Sequence, residues 1–418
     1  MAPGAGSPDT PQRAYTVLRH FDFRLLWSAE LISTTGSQIQ RIAIAWQVYE
    51  MTGDALKLGI LGLARFIPIV IFGLLGGVLA DQRDRRKVLF ATQIAMMAIS
   101  LGLAALTATG NISLWAIYVA TLLGGALTAT AGPARQSLIP LLVPRAEISG
   151  AMSMNTLSFQ IATVGGPALA GLIIAQFGVS LAYFIDAFTF IGVIAAIALM
   201  HARPPAGGVT TRTIAAVAEG FGFLRRSPIL LGVMTVDFVA TFFGAVTMVM
   251  PIFADEILGS GPQTLGLLLA APAVGSLAGG IVMSLLRMPD RPGYGVLWAV
   301  VGYGLATAAF GLSSSLALSL LLLALSGASD AVSMALRVTL RNLVTPDDLR
   351  GRISAAHSMF AMGGPQLGDL RAGWSASMIG AGPAVAIGGV LTVASCAIIA
   401  RLVPGIGAFK VSESTPPE

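Results

Sequence analysis

Two stretches of this chain read alike: RQSLIPLLVPRAEISG at 135–150 and RVTLRNLVTPDDLRGR at 337–352. Arg135 aligns with Arg337, Leu138 with Leu340 and Pro144 with Pro346, and each pair is 202 positions apart (337 less 135, and likewise for the others). The same offset continues outward, where GPALAG at 166–171 faces GDLRAG at 368–373 and Gly178 faces Gly380. Earlier in each repeat it drifts: Gly59 corresponds to Gly266 at an offset of 207 and Gly77 to Gly280 at 203. A register that survives small insertions marks a duplicated unit, the internal repeat on which many membrane transporters are built.

Composition says what kind of unit was duplicated. Of 418 residues, 55% are hydrophobic, 11% are charged and 49 are glycine, whereas a soluble domain carries about 25% charged residues and about 7% glycine. Apolar runs of about 20 residues, long enough to cross a bilayer, predict helices over 22–49, 56–80, 88–108, 113–135, 151–176 and 180–200, then over 229–256, 262–287, 293–313, 316–338, 353–378 and 383–403. The expected fold is an all-α membrane protein of twelve transmembrane helices in two pseudo-symmetric six-helix bundles, 22–200 and 229–403. Residues 1–21 and 404–418 read as polar tails, and 201–228 as a linker whose TIAAVAEGFGFLRRSP has the spacing of a short amphipathic surface helix. The first apolar stretch contains Glu30 and Arg41, which suits a retained helix and not a cleaved signal.

With the N-terminus in the cytoplasm, all but Arg41, Lys57, Arg65 and Arg371 of the 25 basic residues fall in inner segments, Arg135 and Arg337 among them. That bias sets membrane orientation, and it removes nucleic-acid binding as an explanation of the net charge of +5. Cys396 is the single cysteine, so no disulfide or cysteine metal cluster can form, and it reads as a buried thiol. His20, His201 and His357 sit at predicted inner ends of helices without metal spacing. There is no phosphate-binding G-x-x-x-x-G-K-[ST] loop, which leaves an ion gradient as the energy source. No catalytic constellation, cofactor motif or metal set is evident, so an enzyme is not expected.

Charges inside the predicted spans are expensive in lipid and therefore mark function or pairing. The acids are Glu30, Asp186, Asp237, Asp330 and Asp369; the bases are Arg41, Arg65 and Arg371. Glu30 and Asp237 are 207 apart (237 less 30), the offset of Gly59 and Gly266, and should occupy pseudo-symmetric sites as proton carriers or as members of static ion pairs. Asp369 and Arg371 read as a fixed pair, Arg65 as a packing or snorkelling residue without a partner evident in sequence, and Asp330 as the leading proton site.

GGVLADQRDRRKVL at 76–89 resembles the G-x-L-A-D-R-x-G-R-[RK] signature of the major facilitator superfamily, matching at Gly77, Leu79, Ala80, Asp81, Arg85 and Arg86. Gln82 and Asp84 depart from it; Asp84 takes the usual glycine's place and is expected to keep the turn by adopting the left-handed conformation. GGPALAG at 165–171 is similar to the Gly-Pro packing motif of the family's antiporters through Gly166, Pro167 and Gly171, with Ala162 and Ala170 replacing two glycines. FRLLWSAELIS, AYFIDAFTF and TPDDLRGRIS extend the resemblance to the branch containing the enterobactin exporter and related drug-efflux permeases.

The resemblance implies the major facilitator fold, with helices 1, 4, 7 and 10 lining a central cavity. Glu30, Arg41, Asp237 and Asp330 would then lie on lining helices, and Gly77, Asp81, Arg85 and Arg86 would form a latch that closes the cytoplasmic side. It implies export of siderophore- or drug-like small molecules by alternating access with proton antiport, in a bacterial inner membrane, by a monomer with both termini cytoplasmic. The partners implied are a small-molecule substrate, protons and the lipid bilayer. Proton-coupled uptake is the alternative within transporters; a membrane scaffold or enzyme is the alternative outside them.

Overall fold

The computed structural model describes residues 14–82, 84–201, 222, 224, 226–286, 289–346 and 349–410. Within them lie twelve helices of at least 16 residues: α1 (Phe21–Thr52), α2 (Ala55–Gln82), α3 (Arg85–Ala108), α4 (Leu114–Leu138), α5 (Ile148–Phe177), α6 (Val179–Leu199), α7 (Pro228–Phe243), α8 (Gly261–Leu285), α9 (Pro292–Gly311), α10 (Leu316–Val344), α11 (Arg350–Ile379) and α12 (Ala381–Leu402). Helices dominate because in lipid each backbone N–H and C=O must find its partner within the chain. Ten stretches are long and apolar enough to cross a membrane. The two helices outside that set are α1 and α11, which carry Glu30 and Arg41, and Asp369 and Arg371. The linker helix expected within 213–228 lies mostly outside the described residues.

The helices alternate in direction, so Phe21 and Leu402 lie at one end of the molecule, here called the terminal end. At the opposite, far end the connections are tight. Gly178 (φ 81°, ψ 171°) and Gly380 (φ 86°, ψ 156°), the pair already aligned in sequence, make the same turn after α5 and α11. A side chain there would be strained.

Helices α1–α6 pack among themselves, as do α7–α12; between these two sets, α5 lies along α8 and α11 along α2. Glycines from the repeat make both crossings possible. A Cβ on Gly171 would sit 2.7 Å from the Pro262 carbonyl oxygen and 3.1 Å from Gly266 Cα, and one on Gly59 would sit 3.1 Å from Gly373 Cα. Small residues let membrane helices approach this closely, and the contact then gains dispersion energy that lipid cannot match.

The apolar packing differs between the ends. At the far end one continuous cluster joins both sets, with Val48, Leu58, Leu61 and Ile174 packed together with Phe253, Leu268, Phe310 and Val385. At the terminal end the clusters stay apart. One holds Phe23, Leu26, Leu89, Leu138 and Ile197 of the first set; the others hold Val236, Val296, Leu336 and Cys396, or Val233, Leu340 and Ile406, of the second. Among the described residues, apolar packing thus joins the sets at the far end and not at the terminal end. Residues Gly405–Ala408, read as polar tail, instead form a short turn that buries Ile406 completely against the second set.

Three local expectations are corrected. The helix predicted over 229–256 stops at Phe243 and resumes as tight turns at Thr247–Val249 and Met250–Ile252 and a wide turn at Phe253–Ile257. The carbonyls freed by the break are occupied: Arg371 Nη2 donates to Phe243 O, and Tyr303 Oη donates to Gly244 O at 2.9 Å. Asp84 has φ −59° and is not left-handed; it caps α3, its Oδ1 accepting the Arg86 N–H at 3.0 Å, the role aspartate prefers at a helix start. The helices expected to end at 135 and 338 run on to Leu138 and Val344, so Arg135 and Arg337 lie within α4 and α10, where carboxylates neutralise them.

Candidate functional site

Along α1, Glu30 and Arg41 are separated by about 16 Å of helix at about 1.5 Å per residue, and the remaining intramembrane charges sort into the same two layers. In the layer nearer the terminal end, Arg135 Nη1 of α4 donates to Glu30 Oε2 of α1 at 3.0 Å. In the second set, Arg337 of α10 forms an ion pair with Asp237 of α7. Since Arg135 matches Arg337 and Glu30 matches Asp237 in the repeat, these are one interaction present twice. A third group joins the second copy: Arg337 Nη2 also reaches Asp330 Oδ1 at 3.4 Å. Asp237 and Arg337 are buried, whereas the Asp330 side chain is 46% exposed although it lies at mid-helix. Asp330 therefore keeps exposed side-chain surface, and Arg337 reaches one of its two oxygens.

The deeper layer contains Arg41 on α1, Arg65 on α2, and Asp369 and Arg371 on α11. Arg65, Arg41 and Arg371 all lie within electrostatic reach of Asp369, and the Met248 backbone amide faces its carboxylate. A Cβ on Gly62 of α2 would lie 3.0 Å from Asp369 Cβ, so this carboxylate is wedged against the other set. The fixed Asp369–Arg371 pair expected from sequence is not formed. Residues two apart on a helix point to nearly opposite sides; Arg371 turns to the Phe243 carbonyl and lies 6.0 Å from that ring. Arg65, read as lacking a partner, shares the field of Arg41 and Asp369 instead.

Asp186, which sequence reading noted without a role, is fully buried in the first set and accepts from Ser100 Oγ at 2.7 Å and Ser37 Oγ at 3.4 Å. At the far end, Tyr49 Oη of α1 donates to Asp255 Oδ2 at 2.6 Å and lies 3.3 Å from Glu256 Oε1, a clasp between the sets that the sequence did not announce. No periodicity links a tyrosine to an acid more than 200 positions away. At the terminal end, Arg19 and His20 both bind Glu147, and His201 lies beside Asp22.

The signature-loop arginines keep to their own set. Arg85 Nη1 donates to Ser137 O at 3.4 Å and Arg86 Nη2 to Ala198 O at 3.0 Å. Gly77 and Asp81 lie in the last turns of α2, and their contacts lie outside what is described. In the Gly-Pro motif, Gly166 abuts Gln38 of α1, the Pro167 carbonyl abuts Gly266 of α8, and Gly171 meets Gly266 across the sets. Among the described residues no group of three or more His, Cys, Asp or Glu is placed to hold a metal ion.

This architecture and these charges agree with what the chain resembles. Residues 12–415 match the major facilitator family described as transmembrane secretion effector. The chain belongs to that family. It is 29% identical over 365 residues to the enterobactin exporter EntS of Escherichia coli O81 (strain ED1a) and to that of Shigella dysenteriae serotype 1, covering 86% of this chain and 86% of each relative. Its fold is similar to that of the nucleoside transporter NupG (TM-score 0.75, 11% identity, 91% of this chain and 99% of that one). It is similar as well to an inward-facing, unoccupied bacterial homolog of the human lysosomal transporter Spinster (TM-score 0.72, 14% identity, 98% of this chain and 100% of that one). As a major facilitator protein the chain is a multi-pass membrane transporter of small molecules, not an enzyme.

Proposed function

We propose that this protein exports small organic molecules from the bacterial cytoplasm across the inner membrane by alternating access, and that proton entry drives it. In this reading all twelve helices span the membrane as two six-helix bundles, 22–200 and 229–403, in a monomer with both termini cytoplasmic. The supporting observation is the contrast between its ends: among the described residues, apolar packing joins the sets at the far end and not at the terminal end. If the terminal end is cytoplasmic, this is the inward-open state, ready to load cargo from inside. Rocking about the Gly59–Gly373 and Gly171–Gly266 contacts would release the Tyr49 clasp and bring the terminal ends together.

In that closed state Gly77, Asp81, Arg85 and Arg86 would act as the latch; the bonds of Arg85 and Arg86 to their own set suit a latch now open. Asp330 is the proton carrier in this account, because it is the accessible carboxylate of a triad whose other members are buried. Glu30 and Asp237 hold helices together through their arginines. Relatedness to an enterobactin exporter supports the outward direction. In proteoliposomes, Asp330→Asn is expected to abolish gradient-driven efflux while the purified protein keeps its melting temperature. Undiminished, pH-dependent efflux by that variant would overturn the assignment.

A further inference from the structure

Arg41 is solvent-accessible in the middle of α1, and Arg65 is half-buried in α2. Among the described residues, no carboxylate lies within 4.0 Å of either guanidinium. Each guanidinium offers five N–H donors in a planar fork, and the polar atom opposite them is equally unsettled: Asp369 is 5% exposed and its Oδ1 has no hydrogen-bond partner. Three cations around one carboxylate leave net positive charge deep in the membrane, which is costly unless an anion or water answers it. This layer borders the apolar cluster that joins the sets at the far end, through Ile42, Leu61 and Ala372.

Aromatic rings lie on α2, α7 and α11, toward the terminal end from it. Phe66 follows Arg65 in sequence, and a Cβ on Gly363 would lie 3.4 Å from Phe66 and 3.7 Å from Phe238. Phe238 stacks on Phe242 with centroids 5.9 Å apart and meets Phe360 edge-on at 6.1 Å. None of these four rings is fully buried.

We propose that Arg41 and Arg65 form an anion site in this layer, which takes the acidic group of an amphipathic, aromatic organic acid while Phe66, Phe238, Phe242 and Phe360 receive its ring. The proposal rests on the transport reading above and names its cargo class. Guanidinium forks pair bidentately with carboxylate or phosphate and form charge-assisted hydrogen bonds, stronger than neutral ones. Asp369 is the resident counter-charge: its field acts on both arginines between cycles without a direct ion pair, and the incoming anion outcompetes it.

The test measures equilibrium binding of three probes of one shape to the full chain in nanodiscs: 1-naphthoate, 1-naphthamide and 1-naphthylmethylammonium. Naphthoate should bind about tenfold or more tighter than the amide, the scale of one or two charge-assisted hydrogen bonds. Arg41→Gln and Arg65→Gln should each remove that preference. Asp369→Asn should tighten naphthoate binding, a change that misfolding cannot imitate. Equal or tighter binding of the amide or the cation would overturn the site, as would an Arg65→Gln protein that keeps the preference. Binding needs no gradient, so the two readings fail separately. Arginine-dependent naphthoate binding without driven flux in proteoliposomes would overturn export alone; driven flux of a cargo whose binding ignores both arginines would overturn the anion site alone.

Discussion

The two sets of helices carry the same ion pair but not the same charge. In the first, Glu30 and Arg135 neutralise each other across α1 and α4. In the second, Asp237 and Arg337 do so across α7 and α10, and Asp330 adds a carboxylate. The residue 202 positions before Asp330 is Thr128, so the first set has no equivalent. Duplication thus kept the pair that fastens two helices, and Asp330 is the acid added to that pair on one side alone. Burial differs too: the Arg337 side chain is 7% exposed, against 31% for Arg135.

The largest effect expected from this difference is on stability. Arg337→Ala strands the buried Asp237 carboxylate and should cost about 3–5 kcal/mol, the scale for breaking a buried pair by removing one partner, seen as the larger fall in the thermal melt. Arg135→Ala should cost less, because the Arg135 side chain is itself 31% exposed and its removal opens Glu30 to water; equal losses would break the comparison. Next comes a functional split. Asp330→Asn should silence driven transport with little change in the melt, while Glu30→Gln should lower the melt and leave transport coupled to protons. The reverse pattern would move the proton to the first set.

A third effect concerns the joints. Leucine at Gly171 or Gly373 has no room at the crossings, so each variant should shift spin-label distances toward wider far ends. An unchanged distribution would mean that the crossings do not set the state. The smallest effect is expected from Tyr49→Phe, which removes one hydroxyl from the clasp and should weaken far-end closure by about 1 kcal/mol, read as a modest shift in the same distances.

Much of this was legible in the chain. The offsets of 202 and 207 linked Gly171 to Gly373 and Gly59 to Gly266 before any contact was known. The structure puts Gly171 on Gly266 and Gly373 on Gly59. What periodicity cannot say is which member of one repeat touches which member of the other, because that depends on how the helices face each other. The same holds for Arg135 and Arg337. Charge alone marks them as ends of spans; a carboxylate about 100 positions away on another helix makes them tolerable inside. The break after α7 escaped hydropathy because 229–254 is apolar but for Asp237 and scattered hydroxyls, and the groups that donate to the freed carbonyls, Arg371 and Tyr303, come from α11 and α9. Asp84 shows a local choice overriding a family position: a short carboxylate at the start of α3 gains more by capping than by imitating glycine.

The central claim is that Asp330, the carboxylate added to the second set's ion pair, carries the proton. It is tested most directly by measuring proton and cargo movement together in proteoliposomes, with the compound from an amphipathic panel that most raises the thermal melt as cargo. Wild-type protein should move protons opposite to cargo, and Asp330→Asn should still exchange cargo across the membrane but move no protons with it. Proton movement that stays coupled in Asp330→Asn would contradict the account.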